Sequence, residues 1–124
     1  MASCRVWLRL KLPEEEFSAL KRDFGAVEFV IGKEAQADLP TIEAVFTDEP
    51  LPDEMLQRMT RLRWLHVTRG GVYSFLSPQI VQRSIQVTGS KGIHGTVFSE
   101  FALACIFMLA KKLPECIEAQ KQKL

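Results

Sequence analysis

The sequence predicts an α/β fold, a doubly wound sheet of five parallel strands followed by a C-terminal helical extension. Three observations carry that expectation. Five short apolar runs alternate with helical patterns. Each run is too apolar to turn a face to water, the pattern of a parallel sheet covered on both faces. The chain has 124 residues, 47% of them apolar, which is enough for one ordinary domain with a core.

The elements follow in order. Cys4 to Leu12 alternates around Val6, Leu8, Leu10 and Leu12 and reads as the first strand. Pro13-Glu14-Glu15-Glu16 opens a helix, since proline suits the first helical position and glutamates suit the positive helix end. Phe17, Leu20 and Phe24 give it one apolar face, and Gly25 stops it. Val27 to Ile31 is the second strand, and Gly32 to Pro40 a polar connector with room for one helical turn. Ala44 to Phe46 is the third strand, ending at Thr47-Asp48-Glu49-Pro50. Pro52-Asp53-Glu54 starts a helix that buries Met55, Leu56 and Met59. Trp64 to Val67 is the fourth strand, followed by Thr68-Arg69-Gly70-Gly71 and a helical stretch through Tyr73, Phe75 and Leu76. Pro78 to Gln82 forms another turn of helix, and Ile85 to Thr88 is the fifth strand. Gly95 or Thr96 then caps a long helix to about Lys112, and Pro114 restarts a helix that runs to the C-terminus, where Lys121-Gln122-Lys123 reads as a solvated end. Five strands at this length fit the flavodoxin-like order, in which ligands bind beyond the carboxyl ends of the strands. Residues 1–94 are expected to form the flavodoxin-like domain and 95–124 the helical extension.

Composition narrows the function. Lys and Arg number 16 against 15 Asp and Glu, without the basic excess of a nucleic-acid surface. Three cysteines lack metal or redox spacing and fit a reduced cytoplasmic compartment. Two histidines are too few for a His/Cys zinc site, so no metal is expected. The longest apolar run, Phe101 to Ala110, falls short of the ~18 residues of a membrane span.

Three segments hold the candidate chemistry. In Thr68-Arg69-Gly70-Gly71-Val72 a strand runs into two glycines and then a helix. Free amides there can hold a carboxylate or phosphate, with Arg69 adding charge; the alternative is a plain tight strand-to-helix turn with an exposed arginine. Gly92-Ile93-His94-Gly95 brackets a histidine at a strand exit. That histidine either meets an anionic ligand or is structural, and no partner for general-base work is visible. Phe101, Leu103, Ile106, Phe107 and Leu109 leave their helix without a polar face, so it belongs either to the core of this domain or against a missing neighbour. Asp48, Thr68 and Lys91 sit where response-regulator receivers keep their phosphoacceptor set. The stretch after the first strand reads Leu10-Lys11-Leu12-Pro13 and lacks the carboxylates a receiver needs for magnesium.

From Leu62 to Gln120 the chain resembles the D-isomer-specific 2-hydroxyacid dehydrogenases. The matching words are Leu62-Arg63-Trp64-Leu65-His66, Gly70-Gly71-Val72, Gly92-Ile93-His94-Gly95, Ser99-Glu100 and Lys111-Lys112-Leu113-Pro114, in the family's order and spacing. The first half matches only in element order and in Leu51-Pro52 before its helix. The resemblance implies a two-domain enzyme that transfers hydride between NAD(P)H and a small 2-oxo or 2-hydroxy acid. Its outer domain helps bind the acid, and a Rossmann domain binds NAD or NADP and supplies the catalytic arginine, glutamate and histidine. By that resemblance the amides of Gly70, Gly71 and Val72 grip the substrate carboxylate, with Thr47, Asp48, Arg69 and His94 around it. Thr96 and Glu100 would approach the cofactor, and the long helix would bridge the domains.

The sequence departs from the family at three points. It stops where the Rossmann domain would begin, so the catalytic residues are not in it; His94 is not the family's catalytic histidine, and no residue here is called catalytic. Arg69 replaces a small residue, and Asp48-Glu49 puts acidity near a site for an anion. The expectation is a substrate-binding domain that is inactive alone and binds no cofactor itself, with the missing Rossmann domain and a second copy, through the apolar helix 97–112, as partners. No nucleic acid or membrane partner is expected. The alternative is a stand-alone, non-catalytic module that binds a small carboxylate.

Overall fold

The computed structural model describes residues 4–32 and 34–122. Five strands form one parallel sheet: β1 (Cys4–Arg9), β2 (Val27–Ile31), β3 (Ala44–Thr47), β4 (Trp64–Val67) and β5 (Gln86–Gly89). Their order is β2-β1-β3-β4-β5, the doubly wound order expected. Six helices accompany them: α1 (Glu14–Asp23), α2 (Glu34–Ala37), α3 (Asp53–Arg58), α4 (Pro78–Gln82), α5 (Gly95–Ala110) and α6 (Leu113–Lys121). Short 3-10 turns occupy Leu39–Thr41 and Tyr73–Phe75.

β2, β4 and α4 fall where the sequence puts them, and the other elements shift. β1 ends at Arg9, not Leu12. The apolar alternation continues to Leu12, but the pairing stops, because the partner strands end at Thr47 and Ile31. β5 moves one residue, to Gln86–Gly89, leaving Ile85 buried just before it. The helix after β5 begins at Gly95 with His94 at the N-cap and no side-chain cap. Thr96 therefore lies inside the helix and does not cap it. Lys112, at φ 54°, makes the left-handed break before α6. The expected solvated tail begins in α6 at Lys121, while Lys123 lies outside the described residues.

The chain divides into two compact units between Lys91 and Gly92. In the first unit the main core lies on one sheet face. Trp7, Val45, Leu65 and Val67 meet Leu39, Leu56, Met59, Phe75 and Ile80 from the connections. On the other face α1 sets Phe17 and Leu20 against Val6, Leu8 and Phe29. Coverage there is incomplete: Trp64 is 37% exposed and Gln86 is exposed. The expectation of strands wholly withdrawn from water fails at β4 and β5. Trp64, His66, Gln86 and Thr88 alternate onto this face, and all four carry polar groups, the Trp64 indole N–H donating to the Thr88 hydroxyl at 2.8 Å. In the second unit α5 packs with α6, and Phe98, Phe101, Ile106, Phe107 and Leu109 of α5 are exposed.

Candidate functional site at the carboxyl ends of the strands

The sheet register brings the strand ends into line. Arg9 pairs with Thr47, Thr47 with Val67, and Val67 with Gly89. The residues just past this row therefore share one edge, where a doubly wound sheet binds its ligands. An open cleft of about 570 Å³ lies there, lined by Arg9, Leu10, Lys11, Asp48, Glu49 and Thr68.

Thr47 shapes this edge from beneath. It is wholly buried, and its hydroxyl is committed to the loop that follows. Thr47 Oγ1 donates to the Glu49 carbonyl at 2.7 Å and accepts from the Glu49 amide at 3.1 Å. This local turn satisfies a hydroxyl that would otherwise be buried without a partner. Its carbonyl accepts from the Thr68 amide at 3.0 Å, which fixes the start of the next loop. Asp48, at the top of the turn, is exposed on the cleft and has no ion-pair partner among the described residues.

The Arg69–Val72 turn follows β4. Arg69, Gly70 and Gly71 are exposed. Neither glycine has a positive φ, and a Cβ built on either would meet nothing within 4 Å. Backbone strain and packing thus give no reason for two glycines, which leaves close approach from outside. The amides of Gly70, Gly71 and Val72 have no hydrogen-bond partner among the described residues. Three successive free N–H groups on an open turn are donors available to an anion.

Gly89 is the opposite case. A Cβ there would lie 2.9 Å from Val72 Cγ1 and 3.3 Å from the Arg69 carbonyl. The turn sits down on the end of β5 because that position has no side chain. Beyond it, the His66 ring bridges the Thr88 hydroxyl at 2.9 Å and the Ser90 hydroxyl at 3.1 Å, tying β4 to the segment after β5.

His94, Thr96 and Glu100 belong to the second unit. His94 packs edge-on against Phe98, with ring centroids 5.9 Å apart. Thr96 and Glu100 are exposed on the first two turns of α5. Sequence reasoning missed Arg9 and Lys11. Carrying β1 on to Leu12 concealed that Arg9 closes the strand, on the same edge as Thr47 and Thr68. Among the described residues no group of three or more His, Cys, Asp or Glu could hold a metal ion. No helix among them is long and apolar enough to cross a membrane.

Solved structures share this architecture. A D-isomer-specific 2-hydroxyacid dehydrogenase family protein from Aeromonas salmonicida matches 99% of the chain with a TM-score of 0.79 at 21% identity. The fold is that of a domain of these dehydrogenases. A D-lactate dehydrogenase from Treponema pallidum matches 96% with a TM-score of 0.72 at 18% identity. Phosphoglycerate dehydrogenase from Lactobacillus plantarum matches 94% with a TM-score of 0.62 at 22% identity. The chain spans 41%, 39% and 38% of these three proteins respectively, about two fifths of each. No family model and no curated protein matches the sequence.

Proposed function

We propose that this chain is the substrate-binding portion of an NAD(P)-dependent D-2-hydroxyacid dehydrogenase. One observation carries the reading: the three unpartnered amides of Gly70, Gly71 and Val72 on an open turn at the ligand-binding edge of the sheet. They would grip the carboxylate of a small 2-oxo or 2-hydroxy acid, and Asp48, Thr68 and Arg69 would border it.

The nucleotide would be held in another domain, which would also supply the catalytic groups. The residues of this chain do not themselves fit a dinucleotide. No Gly-x-Gly-x-x-Gly occurs, and the side chains of Thr96 and Glu100 stand exposed with no hydrogen-bond partner among the described residues. Their proposed part is to border the cofactor when that domain supplies it. The bound nucleotide supplies or accepts the hydride. This chain contributes binding and orientation of the acid, and by itself it turns nothing over. The exposed apolar surface of α5 would be covered by a second copy, and the protein would work in the cytoplasm.

The test is the product of the intact gene. A mass near ~35 kDa, two ordinary domains, with oxidation of NAD(P)H by a panel of small 2-oxo acids, is the expected result. A product of 14.1 kDa that binds a small carboxylate tightly without turnover would establish the stand-alone carboxylate module instead.

A further inference from the structure

We infer that Arg9 is a positioning residue of the anion cleft, acting by neutralising Glu49 and holding it in the loop after β3. The inference rests on the carboxylate-binding reading above. Arg9 is the last residue of β1, and only 23% of its side chain is exposed. Its guanidinium carbon lies 6.0 Å from the centre of the Trp7 ring, and the side chain reaches the end of β3 and the loop after it. Nη1 donates to Thr47 Oγ1 at 3.3 Å, to the Glu49 carbonyl at 3.1 Å and to the Pro50 carbonyl at 3.4 Å. Nη2 pairs with the Glu49 carboxylate at 3.2 Å. One guanidinium therefore contacts three of the four residues Thr47 to Pro50. A planar fork of donors can do this, whereas the compact ammonium of lysine has only three rotatable donors at a single point.

The consequence is a charge pattern. Four charged side chains line the cleft: Arg9, Lys11, Asp48 and Glu49. With Arg9 spent on Glu49, Lys11 and Asp48 are left to face an incoming carboxylate, and the lining is neutral in sum. Without Arg9 the tandem acids act together and the lining becomes negative; that lining includes Thr68, two residues before Gly70 and the amides that the carboxylate reading assigns to an anion. Arg9 thus lets a loop with two adjacent acids border an anion site.

The chain itself, isotopically labelled, tests this by NMR titration with pyruvate as the probe. The unsubstituted chain should show saturable amide shifts at Gly70, Gly71 and Val72. Arg9→Met should weaken the apparent affinity about tenfold, the scale of one uncompensated charge in a half-exposed setting. Arg9→Met combined with Glu49→Gln should restore it to within about twofold, because the sum of charges is recovered. Loss of loop shape alone would not be rescued by that second change. Arg9→Gln, which keeps donors for the carbonyls, covers the case in which methionine unfolds the chain, with the same loss and the same rescue expected. Unchanged affinity in the single variants, or no rescue by Glu49→Gln, overturns the role of Arg9 and leaves the carboxylate site standing. Absence of any saturable shift in the unsubstituted chain overturns the site reading itself, and this inference falls with it.

Discussion

Two kinds of glycine meet at the edge of the sheet, and they make opposite predictions. Gly70 and Gly71 have open space where a Cβ would go and no positive φ. Gly71→Ala should therefore leave the fold intact, and by restricting the unfolded chain it should add about 0.4–1 kcal/mol of stability. If the turn serves a ligand, the same change should weaken carboxylate binding several-fold. Gly89 has Val72 Cγ1 at 2.9 Å from its absent Cβ and a backbone carbonyl behind it. Gly89→Ala should destabilise by about 1–3 kcal/mol, the range for overpacking, and should lift the Arg69–Val72 turn. Urea unfolding of both variants, beside an anion titration, checks the pair. A stable Gly71→Ala that binds as well as the parent would remove the case for the turn as a carboxylate grip. The doublet at 70–71 is legible in the sequence because it stands between a strand and a helix. The tight contact at Gly89 is not, since Val72 comes against it only once β4 and β5 pair.

At the scale of elements, sequence and structure diverge where periodicity and pairing part company. Leu10 and Leu12 keep the alternation of a strand, yet β1 stops at Arg9 because its neighbours stop. Periodicity reports which way side chains point and says nothing of where a partner ends. β4 and α4 were legible to the residue, the first as a short strand run and the second from Pro78, while the cap that starts α4, the Ser77 hydroxyl accepting from the Ile80 amide, emerges only in the structure. The end of α3 shows what local reading misses. Arg83, beyond α4, donates to the Leu56 carbonyl at 2.7 Å and to the Met59 carbonyl at 2.5 Å. These are carbonyls at the negative end of a six-residue helix that is too short to stand without tertiary support. Arg83→Ala should cost about 2 kcal/mol through two charge-assisted bonds. Chemical denaturation should show it, with faster amide exchange at Met59, whose N–H closes that turn. A loss below about 0.5 kcal/mol, the level of an ordinary surface change, would mean that Arg83 merely lies against α3.

On the scale of the whole molecule, the second unit sets the question of assembly. α5 has no polar face, and Phe98, Phe101, Ile106, Phe107 and Leu109 are each more than half exposed. An apolar surface of this kind rarely stays in contact with water. The expected cover is a second copy of the chain, each α5 meeting the other across a two-fold axis, where one self-complementary patch serves both partners. Association by burial should be concentration-dependent, so light scattering on a dilution series should pass from a mass near twice the 14.1 kDa of one chain toward that of one. Phe101→Glu, Phe107→Glu should shift the midpoint by at least about tenfold in concentration, because a carboxylate must be desolvated wherever a ring is covered. The first unit supplies none of these side chains, so its far-ultraviolet and amide signatures should remain those of the folded sheet. A parent chain that stays monomeric at ~100 μM, far above the micromolar range of ordinary specific contacts, would rule out the second copy. The cover for α5 would then have to come from a different polypeptide segment, such as the nucleotide-binding domain of the proposed enzyme.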